Sequence, residues 1–172
     1  MPSDGLIKAA YYANPHGCGI ISPTTFYKGL SYRSFKKAAK QVSDNEPCII
    51  HFRLATHGSI KKANCHPFNR GDVWFAHNGI LNIRPEGDMT DSEMAFQTII
   101  TPAIEAHGWN SPEANTVIGK TCGQSKFALM RNDEVLLFGQ YIHAEDGCYY
   151  SNYRFMGFYP TITHKPYTGY KI

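Results

Sequence analysis

Three short stretches carry residues suited to gripping a small polar molecule. In "IIHFRLATHGSIKKANCHPF", residues 49–68, Arg53 follows an apolar run. Its guanidinium is planar, permanently charged and able to clamp a carboxylate through two parallel hydrogen bonds, which lysine cannot reproduce. An arginine at a strand end is also a common place for an ordinary ion pair. In "FAHNGIL", Asn78 offers a side-chain amide donor beside Gly79, whose N–H is open to close approach because it lacks a Cβ. Two such donors suit an oxyanion hole, where removing one costs about 3 kcal/mol. Asn-Gly after an apolar run is equally the strongest short-range signal for a type I′ hairpin turn, and the residues alone favour the turn. In "TDSE", Asp91 stands in the first turn of an expected helix, where a carboxylate also complements the helix dipole.

The same region is rich in histidine: His51, His57, His66 and His77. They form no HxxxH or HxH arrangement, so no metal site is expected. Cys65 and His66 are neighbours, yet adjacent residues on an extended segment point to opposite faces and do not readily share a proton.

These residues have to be held by elements that the pattern places as follows. "SDGLIKAAYYA" opens on Ser3 or Asp4 as a helix cap, and "NPHGCGII" breaks at Asn14-Pro15 before an apolar run suited to a buried strand. "TTFYKGL" reads as a strand. "SYRSFKKAAKQV" puts Phe35, Ala38, Ala39 and Val42 on one helical face and its lysines on the other. "CIIHFRLA" and "DVWFAHNGIL" are β-rich. "TDSEMAFQTIITPAIEAHG" is a longer helix in which Thr90 and Glu93 have capping-box spacing, and Ser111-Pro112 starts a further one. From "QSKFALM" onward, "RNDE" and "AEDG" each separate two β-rich runs. Strands on both sides of interposed helices make an α+β protein with extensive sheet.

A chain of 172 residues, 42% hydrophobic and 13% aromatic, can close one sizeable core, so residues 1–172 are expected to form a single domain. Basic residues exceed acidic ones by only three, and they are scattered apart from Lys36-Lys37 and Lys61-Lys62, which speaks against nucleic acid as the main partner. No secretory pattern and no apolar run of membrane length occurs, so a cytoplasmic protein that does not engage a membrane is the expectation. Five cysteines without a CxxC pair favour neither a disulfide framework nor zinc.

"NPHGCGII", "HFRLATHG", "NCHPF", "FAHNGIL" and "TDSE" occur in the order and at roughly the spacing of the class II glutamine amidotransferases, members of the N-terminal-nucleophile hydrolases. The sequence resembles the glutaminase domain of that family closely from about residue 14 to residue 93, and "SKFALM" and "GCYYSNYRF" look similar to the closing strands of short stand-alone members. The resemblance implies a four-layer αββα sandwich with two antiparallel sheets face to face. It also implies a pocket for glutamine or a related small amino acid, with no metal and no cofactor. Arg53 would bind the α-carboxylate, Asp91 the α-ammonium group, and Asn78 and Gly79 the oxyanion, while His57, with Thr56 and Gly58 shaping the loop, would line the pocket. For Asn78-Gly79 this reverses the preference for a turn.

Family enzymes begin, once the initiator methionine is removed, with a cysteine whose thiolate attacks the amide and whose α-amine is the base. This sequence starts Met-Pro-Ser, and its first cysteine is Cys18. Three explanations compete: a nucleophile strand encoded upstream of Met1, a pseudoenzyme that keeps the pocket without the nucleophile, or cleavage that exposes Cys18. Spacing argues against the third, because "DGLIKAAYYANPHGCGII" looks like the end of the unit that follows the nucleophile, which makes Cys18 a small buried residue. The expectation is therefore a glutaminase-like domain that is inactive as written or supplied with its cysteine from upstream. The alternative is a non-catalytic binding or assembly protein on the same scaffold, with a protein partner or oligomer contacting the tyrosine-rich end that includes "GFYPTITHKPYTGYKI". Similarity to short forms carried by bacteria and phages fits an accessory role.

Overall fold

A computed structural model describes residues 1–55 and 58–155. Ser3 Oγ accepts the Leu6 N–H and opens helix α1, Asp4–Ala13, which ends where Asn14 turns back to the Tyr11 carbonyl. Strand β1, Cys18–Ile21, is buried along its length and lies between β2, Phe26–Gly29, and β3, Ile49–Phe52, in an antiparallel sheet. Helix α2, Tyr32–Ala39, is capped by Ser31 and buries Phe35, Ala38 and Ala39, with Val42 just beyond its end. These four residues pack with Ile7, Cys18 and Ile20, so the stripe expected for α2 does bind α1 and α2 to the first sheet.

The second sheet is also antiparallel, in the order β4 (Phe68–Arg70), β5 (Val73–Asn78), β6 (Lys126–Arg131) and β7 (Glu134–Phe138). Asn132, with φ 56°, turns the chain between β6 and β7, which is the turn expected at "RNDE". A short ribbon of β8, Ile142–His143, and β9, Tyr149–Tyr150, flanks the turn expected at "AEDG". Strand β4 was not expected, because it has only three residues and two of them, Asn69 and Arg70, are exposed.

Between β5 and β6 the chain is helical: α3, Asp91–Ala95, a wide turn over Phe96–Ile100, α4, Thr101–His107, and α5, Pro112–Cys122. Thr90 Oγ1 accepts the Glu93 N–H at 3.1 Å, as the capping spacing predicted. The wide turn has a local cause. Pro102 has no N–H to continue the helical ladder, and the Phe96 carbonyl is taken instead by the backbone and the hydroxyl of Thr101.

Alternation along β5 sends its residues to two different cores. Phe75 packs with Phe96, Ile100, Ile118 and Phe127 on the side of α3 to α5. Ala76 packs with Ala128, Met130 and Leu137 against Ile21 and Ile49 of the first sheet. At the rim of that contact Gly19 meets the His66 carbonyl so closely that a Cβ would collide with it. Among the described residues no helix is long and apolar enough to cross a membrane.

Candidate active site

The ends of β3 and β5 meet through histidine. His51 Nε2 lies 3.0 Å from the His77 carbonyl oxygen. A carbonyl can only accept, so His51 carries its proton on Nε2 and donates it across the two sheets. Its Nδ1 is buried without a hydrogen-bond partner among the described residues, and its ring centroid lies 4.2 Å from that of His66, neither of whose ring nitrogens has a partner.

Two residues beyond His51, Arg53 is 6% exposed. Its backbone is held at both ends, by the Gly17 carbonyl at 2.8 Å and the His16 N–H at 2.9 Å, and Nη1 donates to the Ser59 carbonyl at 3.1 Å. Asn64, itself buried, donates to that same carbonyl at 2.9 Å. Gly58 has φ +74° and lies over this group: a Cβ there would sit 3.5 Å from Asn64 Nδ2 and 3.7 Å from both Arg53 Nη2 and Thr90 Cγ2. The loop thus brings the guanidinium to the cap of α3, one residue from Asp91.

Asp91 ties α3 to the segment after β5. Its Oδ2 accepts the Leu81 N–H at 2.9 Å, while Oδ1 accepts the Ser92 N–H at 2.8 Å and the Ser92 hydroxyl at 3.2 Å. Asn78 closes β5, opposite Lys126 of β6. Gly79 follows with φ +140°, and a Cβ on it would collide with the Ser125 hydroxyl and lie 3.1 Å from His77 Nε2. Asn78-Gly79 is therefore no two-residue hairpin turn, since the chain runs through all of α3, α4 and α5 before it returns as β6. The structure brings Arg53, Asp91 and Asn78-Gly79 to neighbouring element ends. His57 and Thr56 lie outside the described residues.

Burial governs the electrostatics here. His51 and His77 are pushed down to about 4, and His66 well below the ordinary imidazole range, so all three are neutral at pH 7. Asp91 beside His77 pulls weakly the other way. Burial, with Cys65 close by, pushes the Cys18 thiol up to about 12. A thiol that holds its proton so firmly is a poor nucleophile, and Cys18 is the buried strand residue that its surroundings suggested. The single Cys65 Sγ–H has the Gly29 and Lys61 carbonyls as its acceptors in reach, at 3.5 and 3.6 Å, and no histidine among them. Among the described residues no three His, Cys, Asp or Glu side chains could hold one metal ion.

A cavity of about 430 Å³ opens beside the site. Seven consecutive residues, 46 to 52, line it, so it runs along an edge of β3 rather than over one face. Residues of the second sheet, among them Ala76, His77 and Asn78 of β5 and Ala128 of β6, form its floor, and Leu6, Ile7 and Ala10 of α1 another wall. Among the described residues β3 pairs with β1 alone. Of the tyrosines expected at an interface, Tyr141 and Tyr149 pack against the inter-sheet core, and both line this cavity with Tyr150. Residues 157–172 of that expectation lie outside the described residues.

Sequence reasoning missed Asn64, Ser92 and Ser125 as parts of the site. Asn64 and Ser92 lie inside blocks already singled out, "NCHPF" and "TDSE", but as polar residues flanking a more obvious charge. Ser125 comes from the turn before β6, and nothing local marks it.

A family model described as "Glutamine amidotransferases class-II" matches residues 37–122, half of the chain and the span that holds Arg53, Asn78-Gly79 and Asp91. A protein of Escherichia coli (strain K12) named "Putative glutamine amidotransferase YafJ" is 38% identical over 119 residues, 54% of this chain and 45% of that protein. The match spans about half the length of this relative.

Proposed function

This chain belongs to the class II glutamine amidotransferases, and from that premise we propose that its pocket binds glutamine for attack on the side-chain amide by a cysteine thiolate carried on a further strand. Arg53 clamps the α-carboxylate and Asp91 receives the α-ammonium group. The Asn78 side chain and the Gly79 N–H donate to the oxyanion of the tetrahedral intermediate. The cysteine α-amine passes the thiol proton to the amide nitrogen, which leaves as ammonia, and water then releases glutamate from the thioester and restores the thiol. The observation that carries the reading is the convergence of the Arg53 guanidinium and the cap of α3 beneath Gly58, each within 3.7 Å of the same point.

The cavity along β3 supports the placing of the nucleophile. It offers a strand edge, apolar walls and about 430 Å³, and Asn78 stands in its lining, so a strand seated there would deliver its end next to the oxyanion pair. Three hydrophobic clusters also support a single four-layer αββα domain: one joins α1 and α2 to the first sheet, one joins the two sheets, and one joins the second sheet to α3, α4 and α5.

Ammonia release from glutamine tests the proposal. Residues 1–172 alone should bind glutamine and release none. The same chain extended before Met1 by a short strand that begins with cysteine should hydrolyse it, and Arg53→Ala in that extended form should not. Hydrolysis by residues 1–172 alone would overturn the assignment of the nucleophile. The non-catalytic reading, a binding protein for an amino acid or a partner protein, draws its support from Cys18, Cys48 and Cys122, whose thiols burial pushes up to about 12, 11 and 11. It predicts no hydrolysis in either form.

A further inference from the structure

His77 has no part in the chemistry just proposed, yet it is fastened at both ends. Its carbonyl accepts from His51, and its ring lies on the helix side of β5, edge-on to Phe127 at 5.3 Å and with Nδ1 2.7 Å from Ser92 Oγ. The Ser92 hydroxyl has one proton and two acceptors in reach. One is Asp91 Oδ1 at 3.2 Å, which is charged; the other is His77 Nδ1. The carboxylate is the stronger acceptor and takes the proton. The short contact is then His77 Nδ1–H donating to Ser92 Oγ, which leaves Nε2 as a bare lone pair. That atom is buried, has no hydrogen-bond partner among the described residues, and lies against Gly79 beside Ser125.

We propose that His77 is a positioning residue for the Asn78–Gly79 donor pair, locked by Ser92 in the Nδ1-protonated form and linked through Ser92 to Asp91. With its carbonyl pinned by His51 and its ring by Ser92, the peptide that leads into Asn78 cannot rotate, and the ring sets how deeply Gly79 sits over Ser125. The link gives the pocket a means of sensing its occupant. An ammonium group on Asp91 draws on the same carboxylate that orients Ser92, and so reaches the donor pair at the far end of the substrate. This second step rests on the glutamine reading; the locked tautomer does not.

Nitrogen-15 NMR of the imidazoles tests both, with His77→Gln used to identify the resonances. In residues 1–172 without ligand, His77 should show a protonated Nδ1 and a bare Nε2, and His51 the reverse. Ser92→Thr, which keeps the hydroxyl, should preserve the His77 pattern. Ser92→Ala should release it toward the Nε2–H form that a free imidazole prefers. A His77 that is Nε2-protonated or mixed in the wild type overturns the proposal, as does an unchanged pattern in Ser92→Ala. If Ser92→Ala does not fold, the wild type and Ser92→Thr decide. Adding glutamine should move the His77 nitrogens, and bound glutamine that leaves them in place overturns the link to Asp91. Failure of glutamine to bind at all overturns the proposed function, while the ligand-free spectrum still decides the tautomer.

Discussion

At the scale of single residues, the site depends on groups that have no near-equivalent. Arg53 is buried and meets its neighbours through a planar fork, so Arg53→Lys keeps the charge but loses the paired geometry. Glutamine affinity should fall at least tenfold, about 1.4 kcal/mol, by calorimetry, with the circular dichroism spectrum unchanged. Gly79 is constrained twice, by φ +140° and by contact with Ser125. Gly79→Ala should lower stability by about 1–3 kcal/mol in urea unfolding and also abolish ammonia release in the cysteine-extended form. Unchanged stability would mean that the Gly79–Ser125 contact is looser than described. Arg53, Asn78, Gly79 and Asp91 stood out by residue type, but their proposed roles came from the family resemblance, since the residues alone favoured a turn at Asn78-Gly79 and an ordinary ion pair at Arg53. What Ser92 and Ser125 contribute could not be read from the sequence, because each acts on a residue from another element, and Asn64 holds the Ser59 carbonyl through a loop whose shape no periodicity marks.

At the scale of elements, legibility followed length and periodicity. Helix α2 was plain because Phe35, Ala38, Ala39 and Val42 repeat at helical spacing, and these are the residues that anchor it. Phe35 is fully buried, so Phe35→Ala should cost about 3–5 kcal/mol in urea unfolding. Helix α3 was legible from its cap, and Thr90→Ala should cost about 1 kcal/mol by the same measurement. Strand β4 stayed hidden because three residues show no period, and its partner β5 rather than its own sequence makes it a strand. Asn78-Gly79 looked like a hairpin because the turn signal is local. What overrides it is the return of the chain at β6, 48 positions after Asn78 in the register that pairs Asn78 with Lys126.

For the molecule as a whole, three neutral imidazoles between and beside the sheets couple folding to pH. His51 and His77 have folded values near 4 against an unfolded value of about 6.5. As pH falls from 6.5 toward 4, the unfolded chain takes up protons that the folded one refuses, so the stability these histidines contribute is complete above 6.5 and is lost through that window. The loss should be of order 2 kcal/mol per histidine, read as a lower urea midpoint at pH 5 than at pH 7. Equal midpoints would place these rings in contact with water. The central claim concerns the same region: two sheet ends and the start of α3 together form one receptor for a small zwitterion. Calorimetric titration of residues 1–172 with L-glutamine tests it most directly. The account predicts one molecule bound per chain and no measurable heat with Arg53→Ala; a folded wild-type chain that binds no glutamine would contradict it.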